Sequence, residues 1–352
     1  VNNMAACKGK VITVQGIVDP SSLGATLTHE HLYLQVPFFY SPPKNSLAKK
    51  LSTAPFELHN LGWIRQNPYT HIPNLTLYGE WEAIKEEITF FKENGGGTIV
   101  ENSTVGLCPD LQYLKSLADA TGVNIVSGTG FYIDTAQTEP FLSYSEEQMA
   151  EKMRSEILDG VEGIRCGIIG EIGTSWPVTD FEKRSLRSSA SLQEELGCPI
   201  IMHPGRYEMA PTEILRILLE AGGKAEHTVM SHLDRTFFNT QTLLEFAELG
   251  SYLEYDLFGT ELSYYQLNEA ADMPSDAQRI QTVKILLDEG YEDRLLLSHD
   301  IHTKHKLMKY GGHGYSHILM NVVPKMLQRG ISQDQVNKML KTNPQTWLQF
   351  FK

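Results

Sequence analysis

Five short motifs along the chain contain side chains that bind metal ions in hydrolytic enzymes. They are Thr28-His29-Glu30-His31, Gly170-Glu171-Ile172-Gly173, Met202-His203-Pro204-Gly205, Ser231-His232-Leu233-Asp234-Arg235 and Ser298-His299-Asp300. Neutral imidazoles and carboxylates together are a common ligand set for a pair of divalent cations. Nearly every motif follows a short apolar run, which is typical of the end of a buried strand. The pattern therefore predicts a two-metal hydrolytic site assembled from strand ends.

The first two motifs have structural explanations as well as chemical ones. His29 and His31 are one residue apart, so both side chains face the same side of a strand, although such pairs also occur by chance. Glu30 then points outward and is expected to be structural. Glu171 follows apolar residues, and a buried carboxylate is costly unless it is paired or coordinated. A core glutamate bonded to an arginine or to backbone amides is the alternative to a metal-bridging role.

The remaining motifs are read in the same way. His203 and His232 each close a separate apolar strand, and equivalent positions on successive units favour ligation over two unrelated core histidines. Asp300 follows the last strand and can ligate a metal and accept a proton, or can cap a following helix. His299 is expected to face away from the ligands, and Arg235 to pair with a nearby carboxylate.

A repeated unit of strand, loop and amphipathic helix would position these motifs. Besides a strand running into Thr28, the predicted strands are 97–102, 124–129, 166–172, 199–203, 228–231, 251–256 and 294–298. Predicted helices include 80–94, 145–161, 180–197, 211–222, 241–250 and 275–290. This alternation is typical of α/β proteins with a parallel sheet, and eight strands predict a closed (β/α)8 TIM barrel. A doubly wound open sheet would instead gather its ligands at a single switch point.

Two regions fall outside the repeat, and we treat residues 1–352 as a single barrel domain. Residues 36–78 form a long insertion after the first strand, rich in proline and aromatic residues. The insertion is either a lid over the site or a flap packed on the outside of the barrel or on a partner. C-terminal helices are predicted at 332–340 and 345–350.

The composition, with 41% hydrophobic and 21% charged residues, is that of a folded globular protein. A net charge of −13 disfavours nucleic acids and anionic membranes as partners, and no apolar run is long enough to span a bilayer. A small-molecule substrate remains compatible, even an anionic one, because two divalent cations would dominate the local field. The four cysteines lie far apart, so we expect no disulfides and expect Cys166 and Cys198 to be buried thiols. Residues 1–4 lack the features of a signal peptide, which favours a cytoplasmic location.

Taken together, the motifs resemble the amidohydrolase superfamily and, within it, the phosphotriesterase family at its phosphotriesterase-related branch. The resemblance spans essentially the whole chain and includes Gly16-Ile17-Val18, Gly128-Thr129-Gly130-Phe131-Tyr132 and Gly311-Gly312-His313-Gly314-Tyr315. It implies a (β/α)8 barrel with a binuclear centre. In that centre His29, His31 and Asp300 bind the more buried metal. His203 and His232 bind the more exposed metal, and Glu171 bridges the two.

Two departures from the family pattern affect the expected chemistry. Many relatives bridge the metals with a carboxylated lysine, whereas this chain has Glu171, so the site needs no carbon dioxide. Lactonase-like relatives have Gly-Leu-Asp-Arg on the seventh barrel strand, where this chain has Glu254-Tyr255-Asp256-Leu257. The missing arginine argues against a lactonase or phosphotriesterase activity.

The resemblance implies an amidase that uses a water shared by two divalent cations, with Asp300 taking the proton. The known activity of this branch is removal of acetate from N-acetyltaurine and, less well, from N-acetylated amino acids. Zinc is the expected metal, with manganese, iron and cobalt as alternatives, and the resemblance suggests a homodimer. The candidate contacts for the acidic end of the substrate are Asn102, Tyr132, Arg206, Lys304, His305 and Tyr315. The alternatives are hydrolysis of esters, lactones or organophosphate triesters, a mononuclear deaminase, and a non-catalytic barrel relative.

Overall fold

Eight parallel strands form a nearly closed barrel with helices between them, which confirms the predicted (β/α)8 architecture. The computed structural model describes residues 7–352. Residues 1–4, which bear on the expected location, lie outside the described residues. The barrel strands are β3 (Ala25–Glu30), β4 (Gly96–Glu101), β5 (Asn124–Thr129), β6 (Ile168–Gly173), β7 (Ile200–His203), β8 (Thr228–Met230), β9 (Tyr252–Tyr255) and β10 (Leu295–Leu297). They neighbour one another in chain order from β3 to β10.

The seam between β10 and β3 is closed by a side chain. The Ser298 hydroxyl accepts a hydrogen bond from the backbone N–H of His29 at 3.0 Å and donates to the carbonyl of His29 at 2.8 Å. The backbone N–H of Asp300 also donates to the carbonyl of His29 at 3.1 Å. The first and the last of the predicted metal motifs therefore meet at this seam.

The strands are apolar on both faces because one face fills the barrel and the other packs against helices. Val100, Val126, Ile201, Val229 and Leu296 belong to one buried cluster inside the barrel. The residues that alternate with them along the strands belong to a second, larger cluster that includes the helices. This alternation fixes which side chains face the barrel axis at the strand ends.

The predicted helices are observed with ends that differ by at most about three residues, whereas the helices at 46–51, 61–66, 111–121 and 323–328 were not predicted. Four helices begin with a capping box. Ser145, Thr179, Ser275 and Ser332 each form a capping box, in which the cap hydroxyl accepts from the third residue of the helix and that residue's side chain accepts from the cap. The helices are α1 (Ser46–Leu51), α2 (Leu61–Gln66), α3 (Trp81–Glu93), α4 (Leu111–Thr121), α5 (Glu146–Leu158), α6 (Asp180–Leu196), α7 (Ala210–Glu220), α8 (Thr240–Ala247), α9 (Asp276–Asp288), α10 (Val323–Gln328), α11 (Gln333–Asn337) and α12 (Asn343–Trp347).

The N-terminal ends of the strands are covered by the two ends of the described chain. A short antiparallel hairpin, β1 (Val11–Thr13) and β2 (Gly16–Val18), precedes the barrel. Trp347, at the end of α12, is fully buried in the interior cluster, and its indole N–H donates to the carbonyl of Ile200 at 3.2 Å. This end is filled by packed side chains, so the chemistry is confined to the opposite end of the barrel.

The structure also bears on the expectations about membranes and thiols. Within the described residues, none of the helices combines the length and the apolar character that crossing a membrane requires. Cys166 and Cys198 are buried thiols, as predicted, and burial raises the pKa of each.

Candidate metal centre

The six predicted ligands converge at the C-terminal end of the barrel. His29 lies on β3, Glu171 on β6 and His203 at the end of β7, while the others directly follow strands. All six are buried; the six are His29, His31, Glu171, His203, His232 and Asp300. Three groups of these side chains, together with Asp256, bring donor atoms within 4.8 Å of one another.

Glu171 lies at the centre of the cluster and contacts all four imidazoles. Its Oε2 is 2.8 Å from His203 Nδ1, 3.5 Å from His29 Nε2 and 3.6 Å from His232 Nε2. Its Oε1 is 3.4 Å from His31 Nε2. Because its two oxygens face different imidazoles, Glu171 can bridge two cations.

Asp300 completes the group on the β3 side. Its Oδ1 lies 3.3 Å from His31 Nε2 and 3.9 Å from His29 Nε2. On the other side, His232 Nε2 and His203 Nδ1 are 2.9 Å apart. The ligands thus separate into one group of His29, His31 and Asp300 and another of His203 and His232, with Glu171 between them.

Carboxylates and a hydroxyl orient the imidazoles from behind. His232 Nδ1 lies 2.8 Å from Asp256 Oδ1, and His29 Nδ1 lies 3.2 Å from both Asp256 Oδ2 and Glu254 Oε2. His31 Nδ1 lies 3.0 Å from the hydroxyl of Ser103. Metal-bound histidines usually make such a contact through the ring nitrogen that does not bind the metal. In this protein these contacts at Nδ1 direct the Nε2 atoms of His29, His31 and His232 toward the cluster.

The buried charges shift one another's pKa values. Burial raises the pKa of Glu171, but the neighbouring His203 and His29 outweigh burial and hold that pKa well below its usual range. Burial lowers the pKa of His31, but Asp300 and Glu171 outweigh burial and raise it to about 9. Burial also raises the pKa of Glu254 to about 7. Glu171 is therefore an anion, and protons compete with cations for the nitrogen atoms of His31.

The donor set fits two divalent cations. His29 Nε2 is buried and has no hydrogen-bond partner, although Glu171 and Asp300 oxygens lie within 3.9 Å. Within the described residues, no lysine or arginine lies within 4.0 Å of the carboxylate of either acid. A buried nitrogen without a hydrogen-bond partner is costly, as are buried carboxylates whose neighbours are imidazoles rather than lysine or arginine, and cation coordination would satisfy both.

Two of the ligands have unusual backbone conformations. His232 has φ = 59° and Asp300 has φ = 50°, in the left-handed region that residues other than glycine seldom adopt. Strain of this kind is concentrated at functional sites. Both residues leave a strand at this point, and the turn directs their side chains into the cluster.

A cavity of about 410 Å³ opens above the cluster and is lined partly by the insertion. From the insertion, Phe39, Arg65 and Tyr69 line this cavity. The Tyr69 hydroxyl lies 2.9 Å from His302 Nε2, and His302 Nδ1 lies 3.0 Å from Asp300 Oδ2. The insertion therefore forms part of the cavity wall and connects to Asp300 through His302, and its action as a lid stays a prediction.

The structure brings three of the six candidate substrate contacts to the cavity, namely Tyr132, Arg206 and His305. The other three are held by other partners. The Asn102 amide donates to the carbonyls of Thr28 and Val100, and the Tyr315 hydroxyl donates to the carbonyl of His31. Lys304 pairs with Glu80 at 2.9 Å. The donor group of each of these three side chains is thus occupied, while Asn102 Oδ1 is buried and has no hydrogen-bond partner among the described residues.

The expected carboxylate partner of Arg235 is also corrected. In the described part of the chain, no carboxylate oxygen lies within 4.0 Å of its guanidinium, and Asp234 instead pairs with Arg279 at 2.8 Å. Arg235 lines the cavity beside His203. The observed contacts agree with the expectations that Glu30 is structural and that His299 faces away from the ligands. The Glu30 carboxylate accepts from the backbone N–H groups of His299 and Ile301, and its Oε1 lies 2.7 Å from both the Ser298 hydroxyl and His299 Nδ1.

The sequence interpretation missed Asp256, Glu254 and His302. Tyr252, Glu254 and Asp256 have the period of two that places alternate strand residues on one face, and Tyr252 belongs to the interior cluster. That alternation was a usable signal for two more carboxylates at the site. His302 follows Asp300 in an irregular loop, where no periodicity indicates the direction of a side chain.

Comparison with known proteins relates this chain to the phosphotriesterase family. The sequence profile of the phosphotriesterase family matches residues 9–348. N-acetyltaurine hydrolase of Homo sapiens is 55% identical over 349 residues, which cover 99% of this chain and 100% of the human protein. A resiniferatoxin-binding protein from Rhodobacter sphaeroides superposes with a TM-score of 0.93 at 31% identity, covering 97% of this chain and 96% of that one. The phosphotriesterase homology protein from Escherichia coli, with phosphate in its active site, has a TM-score of 0.76 at 27% identity, covering 94% and 100%.

Proposed function

The chain belongs to the phosphotriesterase family, and from that premise we propose that it hydrolyses the amide bond of N-acetyltaurine, releasing taurine and acetate. N-acetylated amino acids are the proposed poorer substrates. The observation that carries the proposal is full-length identity of 55% to an N-acetyltaurine hydrolase. The convergence of four imidazoles and two carboxylates at the barrel end supports it.

The proposed cofactor is a pair of divalent cations, with zinc as the first candidate. His29, His31 and Asp300 would hold one and His203 and His232 the other, with Glu171 shared between them. Cations held at this place supply an acidified water as nucleophile and polarise the acetyl carbonyl. Metal analysis of the purified protein tests the stoichiometry, and an ion content well below two per chain contradicts it.

Asp300 is the proposed proton carrier. Burial raises the pKa of Asp300, but His302, His31 and Lys306 outweigh burial and keep the pKa well below its usual range. The carboxylate is therefore ionised and can accept the proton of the attacking water. Amide cleavage also requires protonation of the leaving nitrogen, and Asp300 can return the proton there as taurine departs.

The walls of the cavity hold the substrate near this proton carrier. Aromatic and aliphatic side chains, among them Leu34, Phe39 and Tyr132, line much of the cavity. Because they exclude water, the interactions between the substrate and the charged groups are stronger than in bulk solvent. The insertion contributes part of this wall and therefore belongs to the proposed active site.

Two further expectations stay proposals. We propose a cytoplasmic location and a homodimeric assembly. Fractionation of cells and size-exclusion chromatography with light scattering test them separately.

The decisive experiment compares substrate classes on one preparation loaded with zinc. N-acetyltaurine is assayed beside aryl esters, a lactone and a phosphotriester under identical conditions. We expect the highest kcat/KM for N-acetyltaurine. A preparation with full metal content that cleaves the esters or the lactone but not N-acetyltaurine would exclude the proposed substrate.

A further inference from the structure

Three arginines line the cavity without an acidic partner, and two of them, Arg206 and Arg235, are largely shielded from solvent, whereas Arg65 is exposed. Arg206 follows β7, and Arg235 ends the 3-10 helix Leu233–Arg235 that follows β8. Within the described residues, neither guanidinium has a carboxylate oxygen within 4.0 Å. By contrast, Arg279, which is buried as Arg235 is, pairs with both Asp234 and Asp276. Arg235 is therefore a buried arginine that lacks the ion pairs made by Arg279, and Arg206 beside it lacks them too.

The contacts of the two guanidiniums are neutral and incomplete. Arg206 Nε donates to the hydroxyl of Tyr265, and its Cζ lies 5.1 Å from the ring centre of Phe39. Arg235 Nη2 donates to the carbonyl of Pro204 at 3.0 Å, while its Nη1 is buried and has no hydrogen-bond partner. A buried cation without a counter-ion lowers stability, so a fold retains it where a ligand supplies the missing charge.

Arg235 contacts His203, one of the candidate metal ligands. Its Nη2 lies 3.3 Å from His203 Nε2, whereas His203 Nδ1 faces Glu171. The Tyr132 hydroxyl lies 3.3 Å from the same His203 Nε2 and provides another polar group on this wall. In N-acetyltaurine two methylene groups separate the amide nitrogen from the sulfonate. A substrate with its acetyl group at the Glu171 cluster therefore reaches the arginines with its other end.

We propose that Arg206 and Arg235 together bind the anionic end of the substrate, a sulfonate on a short chain, and so determine specificity. The inference rests on the proposed function. Guanidinium groups suit this role because their N–H donors form a planar fork that matches oxyanions. The whole chain carries a net charge of −13, so these arginines provide a local positive region in a negative protein.

The test compares an anionic and a neutral substrate with the same acetamide group. Arg206→Met and Arg235→Met are assayed on N-acetyltaurine and on N-acetylethanolamine, which carries a hydroxyl in place of the sulfonate. We expect kcat/KM for N-acetyltaurine to fall by roughly 30-fold or more in each variant, mainly through KM. The loss for the neutral substrate should be about tenfold smaller. Equal losses for both substrates, or no loss for N-acetyltaurine, would overturn the inference.

Arg216→Met is the matched control. Arg216 lies on α7 and pairs with Glu213 and Glu220 on the surface. Its replacement should therefore leave kcat/KM unchanged for both substrates. If Arg206→Met or Arg235→Met does not fold, Arg206→Lys or Arg235→Lys takes its place. The lysine keeps the positive charge but lacks the planar N–H donors of the guanidinium. The lysine variant should show a smaller but still selective loss for N-acetyltaurine, and an unselective loss would count against the arginines.

A binding measurement separates failure of this inference from failure of the proposed function. Propane-1-sulfonate is titrated into the zinc-loaded wild-type protein and into both methionine variants by calorimetry. We expect binding to the wild type and at least tenfold weaker binding to the variants. Turnover of N-acetyltaurine with equal sulfonate binding by all three proteins refutes the inference alone. Arginine-dependent binding without any turnover refutes the proposed function alone.

Discussion

Glu171 is the residue on which the site depends most, because it contacts both groups of imidazoles. Glu171→Gln keeps the shape of the side chain and removes its charge. We expect the variant to hold fewer than two cations and to lose at least 10²-fold in kcat/KM for N-acetyltaurine. Metal analysis and kinetics check both. A variant that keeps two ions and normal turnover would remove Glu171 from the proposed centre.

Glu87 provides a second residue-scale prediction, away from the site. Its carboxylate accepts from the backbone N–H of Met308 at 2.7 Å, and burial raises its pKa to about 7. The folded state therefore binds this proton more tightly than the unfolded state, and its contribution to stability falls as pH rises from about 4.5 to about 7.

Glu87→Gln has no ionisable group at this position, so it does not lose folding stability through this group as the pH rises. Relative to the wild type, the variant should gain stability on going from pH 4.5 to pH 8, by at most about 3 kcal/mol. Unfolding in urea at both pH values measures the difference, with metal content held equal. The same relative stability at both pH values contradicts the shifted pKa. The variant also serves as a control for Glu171→Gln, since it neutralises a buried glutamate outside the metal centre.

At the residue scale, prediction from the sequence worked where a side chain follows a regular strand. His203 and Glu171 were identified from their position at strand ends, and the structure brings both into one cluster. Arg235 was misread because its neutral contacts depend on how the loops after two strands meet. Tyr315 and Asn102 were plausible contacts by position alone, and only the tertiary structure shows that backbone carbonyls take their donors.

At the scale of elements, α6 offers a test of how local sequence begins a helix. The Thr179 hydroxyl accepts from the backbone N–H of Glu182, and the Glu182 carboxylate accepts from the N–H of Thr179. Thr179→Ala removes one of these bonds and should cost about 1 kcal/mol, lowering the melting temperature by roughly 2 °C. Thr179→Ser, which keeps the hydroxyl, should melt like the wild type. Equal melting of all three proteins would show that the cap contributes little.

The insertion is the element whose position on the barrel could be predicted least from the sequence. Its aromatic residues indicated packing, but the partner of that packing is set by tertiary contacts. Tyr69 makes the connection to the site, since its hydroxyl lies 2.9 Å from His302, which contacts Asp300. The strands and most helices were predictable because periodicity records their buried faces, and an irregular insertion has no comparable pattern.

Tyr69→Phe tests this connection while preserving the ring. We expect kcat for N-acetyltaurine to fall by roughly tenfold, with a changed pH profile of kcat, because His302 loses the group that orients it beside Asp300. The control is Tyr40→Phe, because Tyr40 is an exposed tyrosine of the same insertion. This variant should have the kcat and the pH profile of the wild type. An unchanged pH profile in Tyr69→Phe would assign Tyr69 a packing role only.

At the scale of the whole molecule, cation binding should depend on pH and contribute to stability. Protons compete for the imidazole nitrogens, and the pKa of His31 is about 9, so binding releases protons below that pH. The apparent affinity should therefore rise as pH increases from 6 toward 9, and the stability that cations contribute should be lost as pH falls. Calorimetric titration of zinc in buffers with different ionisation enthalpies measures the proton release. Binding without proton release at pH 7 would contradict this assignment.

The carboxylate of Asp256 has a consequence for how the ions load. It contacts His29 of one ligand group and His232 of the other, so a single side chain orients ligands for both ions. Because the carboxylate is buried and already bonded to His232, an ion that fixes either imidazole also holds the carboxylate and, through it, the other imidazole, so the second ion meets a prepared ligand. Singly loaded protein should therefore be a scarce species at half saturation. Molecules sampled during gradual chelation should therefore be mainly fully loaded or metal-free chains.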